Sequence, residues 1–209
     1  MHPLFKATLS AGLLALSLSA HAAKTTIDFD NFNLQGELNL SITNHYAGLN
    51  WNNFGVIRGG DDQVAGTGYD YGTVSGLNAA YNERGDDASF SSASNFKLYS
   101  LFLTAAWKPC TVEFYGYHGN TLSQQMTVET NQSSPMLVHF NWSDIDQVRF
   151  HVQGYGYDRQ QVIDNIKLEF TPAPPVPPLP VPEPETYAML LAGLGLVGYA
   201  QRRKAKDRR

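Results

Sequence analysis

The sequence is short of the features that usually announce an enzyme or a disulfide scaffold. Cys110 is the only cysteine among 209 residues, so no disulfide forms within the chain and stability must come from an ordinary core. The thiol reads as a small, partly buried apolar residue. His45, His118, His139 and His151 stand without a zinc-binding spacing, and no serine sits in a GxSxG elbow. Asp61-Asp62 and Asp86-Asp87 are adjacent pairs, and adjacent strand residues point to opposite faces. Such pairs do not converge as the two carboxyls of a glycosidase must. The reading is therefore a non-enzymatic chain. Basic residues are also scarce where a domain would lie. Residues 23–170 carry eight Lys/Arg against sixteen Asp/Glu, a net of −8. An acidic domain with no basic stripe excludes nucleic acid as a partner.

What is present begins at the two ends. Residues 1–22 carry Lys6, an apolar run from Leu9 to Ala20, and then Ala20-His21-Ala22. One positive charge, about a dozen apolar residues and small residues at −3 and −1 make a secretory signal peptide read by the Sec export machinery. At the other end, residues 171–184 (TPAPPVPPLPVPEP) are dominated by proline, which locks φ and removes backbone donors. This segment is a linker, not part of a sheet. A charge-free run at 186–200 follows, with Tyr187, Leu190, Leu191, Leu194, Leu196, Val197 and Tyr199. It reads as a single transmembrane helix with its tyrosines at the headgroup level, although it is shorter than the usual span of about 20 residues. The basic tail at 201–209, with Arg202, Arg203, Lys204, Lys206, Arg208 and Arg209, reads as a stop-transfer segment that stays inside.

Pro182-Glu183-Pro184, the glycine-containing apolar helix and the terminal Arg/Lys cluster resemble the PEP-CTERM sorting signal of Gram-negative bacteria, also named the ice-binding protein C-terminal domain. The resemblance spans residues 181–209. It implies recognition by an exosortase, cleavage near the Pro-Glu-Pro, a transient stop at the inner membrane with the domain in the periplasm, and delivery to the cell surface or extracellular matrix. No regular array of threonines supports ice binding itself.

Between the ends, residues 23–170 alternate apolar and polar positions with a period of two, the mark of strands. Strands are expected at 25–29, 55–58, 77–81, 96–107, 112–117, 125–129, 136–140, 148–152 and 162–170, with Gly, Asn, Asp and Ser clusters between them. Many short strands joined by turn chemistry indicate an all-β jelly roll or β-sandwich. The phrases YAGLNWNNFGVI, SGLNAAYN, LTAAW and VIDNIKLEF resemble secreted proteins whose middle region is a carbohydrate-binding-module-like β-sandwich.

Two candidate sites follow. Asp164 lies in the apolar register of the last strand, where a carboxylate must be paired, hydrogen-bonded or metal-bound. One reading joins it with Asp28 and Asp30 of the first strand around a structural Ca²⁺, which takes oxygen ligands; the other is a carboxylate satisfied by backbone N–H groups. The second site is aromatic. Tyr69, Tyr71, Tyr117, Tyr155 and Tyr157 fall in repeated Tyr/Gly phrases, and with Trp51 they offer planar surfaces on which sugar rings stack. Trp107 and Trp142 read as core. The expected partner is exopolysaccharide, with protein partners of a structural or adhesive matrix protein as the alternative and a polysaccharide-active enzyme as a third reading.

Overall fold

The computed structural model describes residues 23–172 and 184–206. The signal peptide, most of the proline-rich linker with Pro182 and Glu183, and Arg208 and Arg209 lie outside the described residues. The chain divides into two units, Met1–Ala173 and Pro174–Arg209.

The first unit is almost entirely β. Its strands are β1 (Lys24–Ile27), β2 (Asn39–Ser41), β3 (Asn50–Asn52), β4 (Phe54–Arg58), β5 (Asn78–Asn82), β6 (Ala88–Ala105), β7 (Thr111–His118), β8 (Thr121–Glu129), β9 (Met136–Val152) and β10 (Gln161–Phe170). A five-residue helix, α1 (Gly68–Gly72), precedes β5. Every pairing is antiparallel, in the order β2-β4-β5-β10-β6-β9-β7-β8, with β1 beside β10 and β3 beside β6.

The sheet is sandwich-like because two strands change neighbours along their length. The start of β6 pairs with β3 and with the end of β9, while its second half pairs with β10 and with the start of β9. Register shifts between Ser91 and Ser100 mark the change, and across from them Asn141 and Asp144 adopt positive φ of 52° and 58°. Bulges of this kind bend a strand and increase its twist. They also explain why β9 runs unbroken through the polar stretch Asn141–Asp146, where alternation predicts a gap between two strands. The fold of the sheet encloses one large core that includes Phe29, Trp51, Phe54, Phe90, Phe96, Phe114, Trp142 and Phe150. A smaller cluster of Ile57, Tyr69, Tyr81, Ala106 and Val162 lies under α1.

The last strand departs from simple alternation in a way that matters for Asp164. A bulge at Asn165, with φ 49° and a register shift between Asp164 and Lys167, moves the pattern by one residue. Ile163, Ile166 and Leu168 therefore share the large core, and Val162 joins the smaller cluster. Asp164 is fully buried, but it faces the segment after α1 and not the large core.

The second unit is a helix, α2 (Pro184–Lys206). Proline fits the first turn, where its missing N–H is not needed. The helix continues into the basic segment, so the expected boundary at residue 200 moves to Lys206. Among the described residues, no helix is long and apolar enough to cross a membrane. This corrects the transmembrane reading. The charge-free part at 186–200, at 1.5 Å per residue, covers about 22 Å against a hydrocarbon core of about 30 Å. Gly193, Gly195 and Gly198 further dilute its hydropathy. Tyr187, Leu190, Leu191, Leu194, Leu196, Val197 and Tyr199 are all exposed.

Candidate functional site

A concavity of about 740 Å³ lies on the outward face of β3, β6, β9 and β7. The inward face of these strands supplies Trp51, Phe90, Val148, Phe150 and Phe114 to the core, so parity forces the intervening side chains outward. They form cross-strand rows. Asn50, Ser91, Gln147, Tyr117 and Leu122 make one row from β3 to β8, and Asn52, Ser89, Arg149, Tyr115 and Gln125 make the next. His151, Glu113 and Thr127 continue the pattern, with Asp87 at its margin.

Each charged group on this face is already held by a neighbour. The Arg149 guanidinium lies 4.8 Å from the centre of the Tyr117 ring, a cation–π stack, and its Nε donates to Gln147 Oε1 at 3.1 Å. The Tyr115 hydroxyl donates to Glu113 Oε2 at 2.5 Å, and Gln153 Nε2 donates to Glu113 Oε1 at 2.8 Å. Those two hydrogen bonds, the tyrosine's first, hold the Glu113 carboxyl below its ordinary range. The same contact with Glu113 pushes the Tyr115 phenol up. His151 Nδ1 pairs with Asp87 Oδ1 at 2.7 Å. The outcome is a fixed array of amides, hydroxyls, one guanidinium and two phenol rings. Such a surface offers hydrogen-bond donors, acceptors and flat rings to a ligand.

The structure brings only Tyr117, of the six aromatics singled out from sequence, into this groove as an outward side chain. Trp51 touches the groove but is 6% exposed. Its ring packs against Phe29, Phe54 and Phe90, and its Nε1 donates to the Tyr46 carbonyl. Tyr69 is buried against Tyr81 and Trp107. Tyr71 is exposed on α1, while Tyr155 and Tyr157 are exposed beyond β9, at 92% and 65%. Trp142 is core as expected, whereas Trp107 is 40% exposed, its Nε1 donating to Oε1 of the buried Gln160 at 2.9 Å. Tyr115 belongs to the same Tyr/Gly phrase as Tyr117 and His151 was noted only as a histidine without a zinc spacing, while Arg149, Gln147, Asn50 and Asn52 did not stand out from sequence. Their signal was parity: residues 147, 149 and 151 are polar where 148, 150 and 152 are apolar, and β7 repeats the pattern.

The aspartates of the calcium reading accept backbone N–H groups. Asp164 Oδ2 accepts the N–H groups of Val74 at 2.8 Å and Ser75 at 3.1 Å, and its Oδ1 accepts that of Asn165 at 2.6 Å. Asp30 Oδ1 accepts from Leu77 and Asn78, and Asp28 Oδ1 accepts from the N–H of Asp30. Among the described residues, no three carboxyl, imidazole or thiol groups converge to hold a metal ion. The three charges do share a neighbourhood: with burial as the larger cause, they help push the Tyr46 phenol up to about 12. Burial pushes Asp164 itself up to about 7, against the pull of its three amide donors. Cys110 is partly buried, its thiol likewise pushed up by burial, as a structural thiol would be.

Comparison with known proteins adds one decisive match. Residues 180–204 fit the PEP-CTERM protein-sorting motif. The chain carries this sorting signal at its C-terminal end. No curated protein sequence matches the chain. Several solved structures overlap the β unit at low identity. The K2 cleaved adhesin domain of Lys-gingipain is 11% identical, with 72% of this chain and 99% of that one covered and a TM-score of 0.45. A cyclase from Fischerella sp. TAU is 15% identical over 73% and 100%, with a TM-score of 0.42. The N-terminal tandem CBM22 domain of Paenibacillus barcinonensis Xyn10C is 11% identical over 78% and 50%, with a TM-score of 0.40.

Proposed function

We propose that this chain is an exported, surface-sorted protein whose β unit binds exopolysaccharide in the groove over β3, β6, β9 and β7. The observation that carries the reading is the composition of that face: Tyr115 and Tyr117 beside Arg149, flanked by Asn50, Asn52 and Gln147. A pyranose offers hydroxyls for amides and a guanidinium, and a C–H face for a phenol ring. The acidic domain, net −8 over residues 23–170, favours a neutral glycan over a polyanionic one. Binding without turnover fits the carboxylates of Glu113 and Asp87, each engaged by protein partners and not free for acid–base work.

Export follows the Sec route, and an exosortase cleaves near Pro182-Glu183-Pro184, leaving the β unit at the cell surface or in the extracellular matrix. The test of the binding reading is retention of the full chain on immobilised host exopolysaccharide, compared with Tyr115→Ala and Arg149→Ala variants of unchanged thermal stability. Retention of the wild type and its loss in both variants supports the reading. Equal retention of all three, or capture only by host surface proteins, overturns it in favour of a protein-binding matrix component.

A further inference from the structure

The lining of the groove reaches the end of β9 at His151 and includes Asp87, whose neighbour Asp86 pairs with Arg159 of the segment that follows β9. Arg149 and His151 belong to its outward face, and after β9 the chain runs through Gln153 and turns at Gly154, with φ 128°, before Tyr155. Gln153 keeps the ladder going by donating its N–H to the Thr111 carbonyl, and its side chain ties back to Glu113 in the groove. From His151 to Tyr155 is four residues, at most about 14 Å of chain.

Two tyrosines beyond that point are left in water on a firmly held base. Arg159 NH2 pairs with Asp86 Oδ1 at 3.2 Å, and the Arg159 carbonyl accepts from Asn82 Nδ2. Asp158 pairs with Lys108 at 2.8 Å. Gly85 packs so close to the Gly156 carbonyl that an added Cβ would lie 2.3 Å from it. A segment anchored at this many points has no structural need to present rings at 92% and 65% exposure. Neither ring contributes to a core cluster.

We propose that Tyr155 and Tyr157 form a second stacking platform beyond the end of β9, next to the groove, so that the site holds a long polysaccharide chain more tightly than a short oligosaccharide. The proposal rests on the groove's binding carbohydrate. Short fragments fill the positions over Tyr115 and Arg149, and only longer ones reach the outer platform. The occupant is the apolar C–H face of a pyranose, because two phenol rings with no cation on the same turn except Arg159, itself paired to Asp86, have little to offer a charged ligand.

The experiment uses the full chain and host exopolysaccharide, partially hydrolysed and sorted by size. Affinity is measured for fragments of two to three units and of eight or more. The wild type gains affinity with length. A Tyr155→Ala/Tyr157→Ala variant loses that gain, binding long fragments roughly tenfold more weakly while binding short ones unchanged. If the variant keeps the gain, or weakens equally at both lengths, the second platform does not exist. If the wild type binds no fragment of any size, the groove reading itself is lost, and the platform with it.

Discussion

Asp30 and Asp164 grip the same loop through four successive-pair backbone amides, Asp164 taking Val74 and Ser75 and Asp30 taking Leu77 and Asn78. Gly76 lies between the two pairs at φ +54°, and an added Cβ would stand 1.8 Å from Asp30 Oδ2. The loop joins α1 to β5 and closes the far side of β10. Removing the Asp164 carboxylate leaves three part-buried N–H groups without their acceptor, at about 1 kcal/mol each. We expect Asp164→Ala to lower stability by at least about 3 kcal/mol, read as a fall in the urea midpoint. A change within 0.5 kcal/mol, the range of an ordinary surface substitution, would sink this assignment.

Gly76→Ala should be nearly as damaging by a different route. The new methyl meets the Asp30 carboxylate, and its backbone sits in the left-handed region that suits glycine. The expected cost is about 1–3 kcal/mol, and Gly36→Ala provides the control. Gly36 also has positive φ but nothing near its missing Cβ, so the control should lose less.

The pH dependence of stability carries the sign of Asp164. Its pKa is raised from 3.8 to about 7 on folding, so between those values the native state holds a proton that the unfolded chain has lost. Stability then falls as pH rises through that window, by up to about 1.4 kcal/mol per pH unit, and levels off above it. Chemical denaturation of the wild type and Asp164→Asn from pH 4 to pH 8 checks this. The wild type's advantage should shrink with rising pH; an advantage that grows instead means the three amides, not burial, set the ionisation.

Calcium should have no structural part in the loop. We expect the melting temperature to stay the same in millimolar Ca²⁺ and in excess chelator, because the oxygens of Asp164 already accept three N–H groups. A midpoint that climbs with added Ca²⁺ would restore the ion reading of Asp28, Asp30 and Asp164.

Processing is testable by intact mass of the protein recovered from the native cell surface. The sorting motif at 180–204 leads us to expect a C-terminus near Pro184 in the wild type. Replacing Pro182, Glu183 and Pro184 by alanine should abolish that cleavage. A mass that keeps residues up to Arg209 in both would refute exosortase processing.

The strands of the core were legible because their parity is strict. Phe114 against Tyr115 and Phe150 against Arg149 show which side faces in. Parity failed where a bulge shifted it: Asn165 moved Asp164 away from the side it shares on paper with Ile166, and Asn141 and Asp144 joined two expected strands into one. Such bulges depend on tertiary pairing, and a single residue type does not announce them. The short strands β2 and β3 escaped notice because three residues are too few to set a period. The groove was missed for another reason. Tyrosines drew attention by their repetition beside glycine, which reaches Tyr115 and Tyr117 alone of this face, whereas the face is assembled across strands from residues distant in sequence, among them Asn50, Ser89 and Arg149.

The placement of β10 has a mechanical consequence. Its final residues lie between β1 and β6, with Glu169 opposite Lys24 on one side and Phe170 opposite Phe96 on the other. Tension entering the β unit through Phe170 therefore runs along the axis of a strand bonded on both flanks. The hydrogen bonds are loaded together in shear and are not peeled open singly. A unit pulled by this end would have to shear both flanks of β10 at once.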